Sequence, residues 1–141
     1  MIDKSHIVFP LKRIAATVYD LFLLLGVWFL VGSIALGVKY LFVGEVSSLN
    51  SNFGMALVIL SSWIFYGYFW IHGGKTLGMA VWKFEIYSLD KSKITISKIS
   101  VRYFSNIITF FLLGIPLIFM YFSKKNLSVS DLLSGTSYKK I

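Results

Sequence analysis

Residues 21–38 read LFLLLGVWFLVGSIALGV, a run with no charged side chain. A stretch this long and apolar closes its backbone hydrogen bonds internally as a helix and is long enough to cross hydrocarbon, which sets aside the ordinary water-soluble folds. Directly before it stands RIAATVYD, residues 13–20, so an arginine and an aspartate open the span. A carboxylate at a helix centre costs roughly 2.5–3.5 kcal/mol on insertion scales, and less near the edge. Asp20 therefore calls for a partner. Arg13 and Asp20 are seven residues apart and share one helix face with Thr17, yet lie roughly 10 Å apart along the axis, too far for a direct intrahelical pair. Arg102 on the third apolar segment, or the Ser61 and Ser62 hydroxyls if they face inward, are the candidates for Asp20.

Composition agrees with a bilayer: 57% hydrophobic, 18% aromatic and 14% charged residues, with mean hydropathy +0.76. The net charge of +8 comes from lysines and arginines that flank apolar runs, without any nucleic-acid recognition signature. Anionic headgroups are thus the expected electrostatic partner. The chain has no cysteine. Residues 33–35 mimic a signal-peptidase site, but the run is too long for a leader and carries Asp20 at its mouth, so a retained span is expected.

A second apolar run, residues 53–71, thickens in aromatic residues toward its end with Trp63, Tyr66, Tyr68 and Trp70, as an interfacial belt does. Positive charge returns between residues 72 and 106, which places this central segment and the N-terminus, with Lys4, in the cytosol. A third apolar stretch, residues 107–122, would then export Lys124, Lys125, Lys139 and Lys140 if it crossed once. Gly114 and Pro116 interrupt it. Two short helices, about residues 97–113 and 116–122, are expected to form a hairpin that returns the C-terminus to the cytosol. Residues 83–96 alternate partly like a strand around Leu89, Asp90 and Lys91, which suggests a small interfacial hairpin. The expectation is one all-α membrane domain over residues 1–141, with two full spans, a broken third and an amphipathic or interfacial central segment.

HGGKTLGM, residues 72–79, fails as a phosphate loop because Phe69 stands where the first glycine of that motif belongs. It reads instead as a flexible turn, with Gly74 and Gly78 spaced for close backbone approach or the loop placed to meet a cation or headgroup. SVSDLLSGT, residues 128–136, has the spacing of a capping box, Ser128 with Asp131, and a terminating Gly135. Asp131 at the cytosolic mouth is also positioned to meet Arg13. Residues 33–37 offer a face of small side chains suited to helix contact, including contact in a homo-oligomer. His6 and His72 are the only histidines, and neither H-E-x-x-H nor G-x-S-x-G occurs, so no catalysis, cofactor or metal site is expected.

Arg13 and Asp20, the GKTLG element, Arg102 and the terminal SDLLSGT, in this order, resemble the RDD family of small bacterial membrane proteins, named for one arginine and two aspartates. The resemblance puts Arg13, Asp20 and Asp131 on the naming positions and Gly74, Thr76, Leu77 and Gly78 on the glycine-rich element. Ser130 and Met79 depart from it, where histidine and a basic residue are usual. It implies a multi-pass protein of the bacterial inner membrane, with transport of a small ligand or cation/proton exchange suggested for some members. Two readings follow. In one, Arg13, Asp20, Asp131 and Arg102 line a polar exchange site for a small cation. In the other they are structural pins of a non-transporting scaffold or interaction protein, with Asp20 resting in an ion pair.

Overall fold

The structure, a computed structural model, describes residues 7–141; the expectations that touch Met1, Lys4 and His6 lie outside them. Helix α1 runs Pro10–Val43, with Pro10 in its first turn and Gly44 ending it in the left-handed conformation. It continues a little past the uncharged run that ends at Val38, because nothing before Gly44 breaks it. At 1.5 Å per residue it is about 51 Å long, well over the roughly 30 Å of hydrocarbon. Its buried residues are Pro10, Arg13, Ala16, Asp20 and Leu24, spaced three or four apart on one face. The inward face carries the charges and the outward face the leucines and phenylalanines, the reverse of a soluble amphipathic helix.

Helix α2, Ser51–His72, is capped by the Asn50 side chain and returns antiparallel to α1. Trp28 donates through Nε1 to Ser62 Oγ at 2.9 Å, which fixes the depth of one helix against the other. The chain then turns through Gly74, at φ +66°, into the short helix α3, Leu77–Val81, whose first turn is capped by the Thr76 hydroxyl. Strand β1, Phe84–Ser88, follows.

The expected strand hairpin over residues 83–96 is corrected here. Its first half is strand, but residues 92–95 are not, and β1 pairs antiparallel with β2, Thr136–Lys140, from Phe84 opposite Lys140 to Ser88 opposite Thr136. The Asp90 carboxylate gathers the Ser88 and Ser92 hydroxyls and Lys98 Nζ, steering the chain into helix α4, Ile96–Phe111. These donors hold the Asp90 carboxyl below the usual carboxylate range, Lys98 foremost. The fold is otherwise helical as expected, with one sheet of two strands.

Helix α4 and helix α5, Ile115–Phe122, meet at 104°. Leu113 and Gly114 both take positive φ at the break, and Leu113 is 91% exposed, so the tip is an exposed apolar corner. Past α5 the chain re-enters the body as helix α6, Val129–Ser134, and β2, where Lys139 also bridges to Ile7. The two ends of the described chain therefore lie side by side, at one end of the α1–α2 pair. A core of Val8, Ala16, Trp70, Met79, Phe84, Ile86, Ile99 and Tyr103 joins α1, α2, α3, β1 and α4 there, with Tyr138 of β2 packed against it.

Candidate functional site

The body contains two buried polar centres. The first is built on α6, whose capping box is complete: the Ser128 hydroxyl accepts from Asp131 N–H and the Asp131 carboxylate accepts from Ser128 N–H. The same carboxylate receives Arg13 Nη1 at 2.9 Å and Arg102 Nη2 at 2.7 Å, and the Ser137 hydroxyl at 3.2 Å. Arg102 commits its other nitrogens to Tyr138 Oη, Ser134 Oγ and both oxygens of Thr136. The Tyr138 ring lies 4.1 Å from the Arg102 guanidinium carbon and 4.9 Å from that of Arg13, close enough for the ring face to attract both cations. Burial pushes the Asp131 carboxyl up, but Arg102, Arg13 and the Ser128 N–H outweigh it and hold the group below its ordinary range. This is a buried ion-pair cluster that ties α1, α4, α6 and β2 together.

The second centre joins α1 to the glycine-rich element. Asp20 accepts from the Thr76 hydroxyl at 2.5 Å and from Gly78 N–H at 2.8 Å, while Thr76 Oγ1 accepts from Met79 N–H. A Cβ on Gly78 would run into the Ala16 carbonyl oxygen and lie 2.9 Å from Asp20 Oδ1, so the residue must be glycine for α3 to seat against α1. Gly74 is present for a different reason, its positive φ. Leu77 stays half-exposed on the outer side.

The structure brings Arg13, Arg102 and Asp131 together and keeps Asp20 apart. The expected resting ion pair of Asp20 is corrected: among the described residues Asp20 pairs with no arginine or lysine, because Asp131 engages both arginines. Ser62 is occupied by Trp28, and Ser61 bonds to the Val58 carbonyl. The depth of Asp20 follows from the register of α1 against α2. Trp28 is level with Ser62, and eight residues toward the end where the platform lies bring Asp20 on α1 level with Trp70 on the antiparallel α2, two residues before α2 stops. Asp20 thus sits at the boundary of the apolar layer, and Arg13 about 10 Å beyond it.

Thr76 was legible as part of the motif, though not as the partner of Asp20. Ser134, Thr136, Ser137 and Tyr138, all in the clamp, were not singled out. Ser134 closes α6, and Thr136, Ser137 and Tyr138 follow Gly135 in a short stretch that pairs as a strand.

Chemically, both Asp131 oxygens in the clamp are engaged, while the Asp20 carboxyl is met by neutral donors alone. Among the described residues no group of three or more metal-ligating side chains converges. Two cavities touch neither Asp20 nor each other: one is a small crevice beside Arg13, the other an apolar groove of Ala56, Ile59, Leu60, Trp63, Ser100 and Phe104 on α2 and α4.

Apolar helices of spanning length, with buried charges gathered at one end, define a multi-pass helical membrane protein. Its sequence matches the model of the RDD family over residues 7–135, and the chain belongs to that family. No curated protein and no solved structure matches it significantly.

Proposed function

We propose that this RDD protein is a non-transporting membrane scaffold or interaction module, with Arg13, Arg102 and Asp131 as one structural pin and Asp20 with Thr76 and Gly78 as a second. One observation carries this reading. Both polar centres lie at the same end of the helices, and between Asp20 and Lys39 α1 has no charged residue, while α2 has none at all. A cation crossing there would meet hydrocarbon and apolar side chains, and an unpaired charge in such surroundings is prohibitively costly. The charge bias supports placing the platform of α3, α6 and the sheet on the cytosolic side of a bacterial inner membrane, where its lysines meet anionic headgroups.

A second reading, exchange of a small cation for a proton at Asp20, is favoured by the absence of any fixed counter-cation on that carboxylate among the described residues. An ionisable group in a span is a functional candidate by default. The two readings separate in proteoliposomes carrying an imposed pH gradient. On adding Na⁺, K⁺ or Li⁺, the scaffold reading expects no response from folded wild-type protein. Gradient dissipation that depends on the cation and disappears in folded Asp20→Asn protein would overturn it in favour of exchange.

A further inference from the structure

Arg13 and Arg102 bring two buried positive charges to the single negative charge of Asp131, and the other side chains of the cluster are neutral. One positive charge is therefore left without an acid among the described residues. Its location is specific. Arg102 has acceptors for all three nitrogens. Arg13 sends Nε to the Val8 carbonyl at 2.9 Å and Nη1 to Asp131 and Ser128. Its Nη2 is the one buried side-chain nitrogen or oxygen among the described residues with no hydrogen-bond partner, although Arg13 is only 5% exposed.

Arg13 lines a partly open crevice of about 30 Å³ together with Tyr87, Met120, Lys125 and Asn126. Lys139 borders it too, but its ammonium is engaged by Glu85 at 3.0 Å. Lys125 is exposed, and among the described residues no acid pairs with it. Since one water needs about 10–15 Å³ of such space, the crevice takes two or three oxygen atoms, with the remainder of a ligand outside. A guanidinium edge with a nearby ammonium is the chemistry that recognises an oxyanion. Lys125 follows α5 by three residues, where an apolar helix gives way to lysines and a phosphodiester would lie.

We propose that the crevice binds a phosphate group, which places an oxygen on Arg13 Nη2 with Lys125 at the mouth and thereby neutralises the surplus charge of the clamp. The phosphate is that of a lipid headgroup or free inorganic phosphate; the chemistry is the same, and the test distinguishes the sources. The full chain is unfolded thermally, followed by tryptophan fluorescence, in uncharged detergent with inorganic phosphate against chloride at matched ionic strength. In parallel, it is unfolded in nanodiscs of phosphatidylcholine with and without phosphatidylglycerol. A ligand that binds only the folded chain raises the midpoint as its concentration passes the dissociation constant.

The expected result is a saturable rise with at least one phosphate source, weakened about tenfold in apparent affinity by Lys125→Gln, which removes an exposed side chain and leaves the fold intact. Arg13→Lys, which keeps a cation for Asp131 but loses the second guanidinium arm, is expected to abolish saturation. A rise with phosphatidylglycerol alone supports the proposal with the lipid as source, and a rise with inorganic phosphate supports it with the free ion. No saturable rise from either source in wild type overturns it, as does an equal rise in wild type and Lys125→Gln, which would be nonspecific screening. A wild type that ignores both sources but is destabilised by Asp3→Asn would assign the free nitrogen to the chain's own carboxylate, and this too overturns the proposal.

Discussion

The two ends of the α1–α2 pair are built on different principles. At the platform end Arg13, Ala16, Asp20 and Leu24 are buried, and side-chain bonds reach from α1 to α3 and α6. At the other end every α1 residue beyond Leu24 is at least partly exposed, Gly32 and Gly37 have no neighbour within 4 Å of a notional Cβ, and Trp28 to Ser62 is the side-chain bond near the transition. Lipid tails are as apolar as leucine, so the far ends gain little by touching each other. Register and angle must therefore be fixed where polar groups can be satisfied in one arrangement only. The platform end specifies the fold; the far end needs only to be apolar and long enough.

That contrast breaks most readily at Asp131. Asp131→Asn removes the charge facing two buried guanidinium groups, and stranding buried charges costs about 3–5 kcal/mol. The expected outcome is loss of the monodisperse folded species in detergent gel filtration; a variant as stable as wild type would show that the clamp is incidental. The pH dependence follows from the same group. Its carboxyl titrates lower in the folded chain than in the unfolded one, so its contribution is complete above the unfolded value of about 3.9 and fades as pH falls through the folded value. Asp131 therefore adds no pH dependence between pH 5 and 8, and the wild-type unfolding midpoint should fall in acid by a component that Asp131→Asn lacks.

The second pin ranks below the first because it holds one short helix rather than four elements. Thr76→Val removes a donor to Asp20 and the acceptor for Met79 N–H, and hydrogen bonds involving a charged group contribute about 1.5–3 kcal/mol. Thr76→Ser keeps the hydroxyl and is expected to restore most of that loss in chemical denaturation. Gly78→Ala, which meets the Ala16 carbonyl, should cost about 1–3 kcal/mol by overpacking. A neutral Gly78→Ala would mean that α3 sits loosely, which would favour a mobile gate at Asp20 over a pin.

What the sequence disclosed follows the range of the physics involved. Hydropathy placed α1 and α2 within a few residues, Gly114 and Pro116 marked the bend, and the Ser128 to Asp131 spacing foretold a capping box, since each is decided by neighbours along the chain. The partner of Asp20 was hidden because Thr76 lies 56 residues away and is a neutral hydroxyl, whereas charge arithmetic pointed to an arginine. The partner of β1 was hidden for a related reason. Residues 136–140, TSYKK, are too short and polar to read as a strand, and pair only once α4, α5 and α6 have carried them back.

The smallest effect tests the far end. Gly37 lies inside α1 with nothing within 4 Å of its notional Cβ, so Gly37→Ala adds no clash within the chain. Alanine loses less backbone entropy than glycine in a helix, worth about 1 kcal/mol in water, and the change should be neutral or slightly stabilising. Platform and far end then differ in sign, since adding one methyl at Gly78 destabilises and adding one at Gly37 does not. Thermal midpoints of the two variants check this, with light scattering on the same samples. Were Gly37→Ala to destabilise the protein and reduce its mass to that of a single chain, residues 33–37 would be packed against a second copy, and a helix that looks unpartnered within one chain would owe its small face to an oligomer.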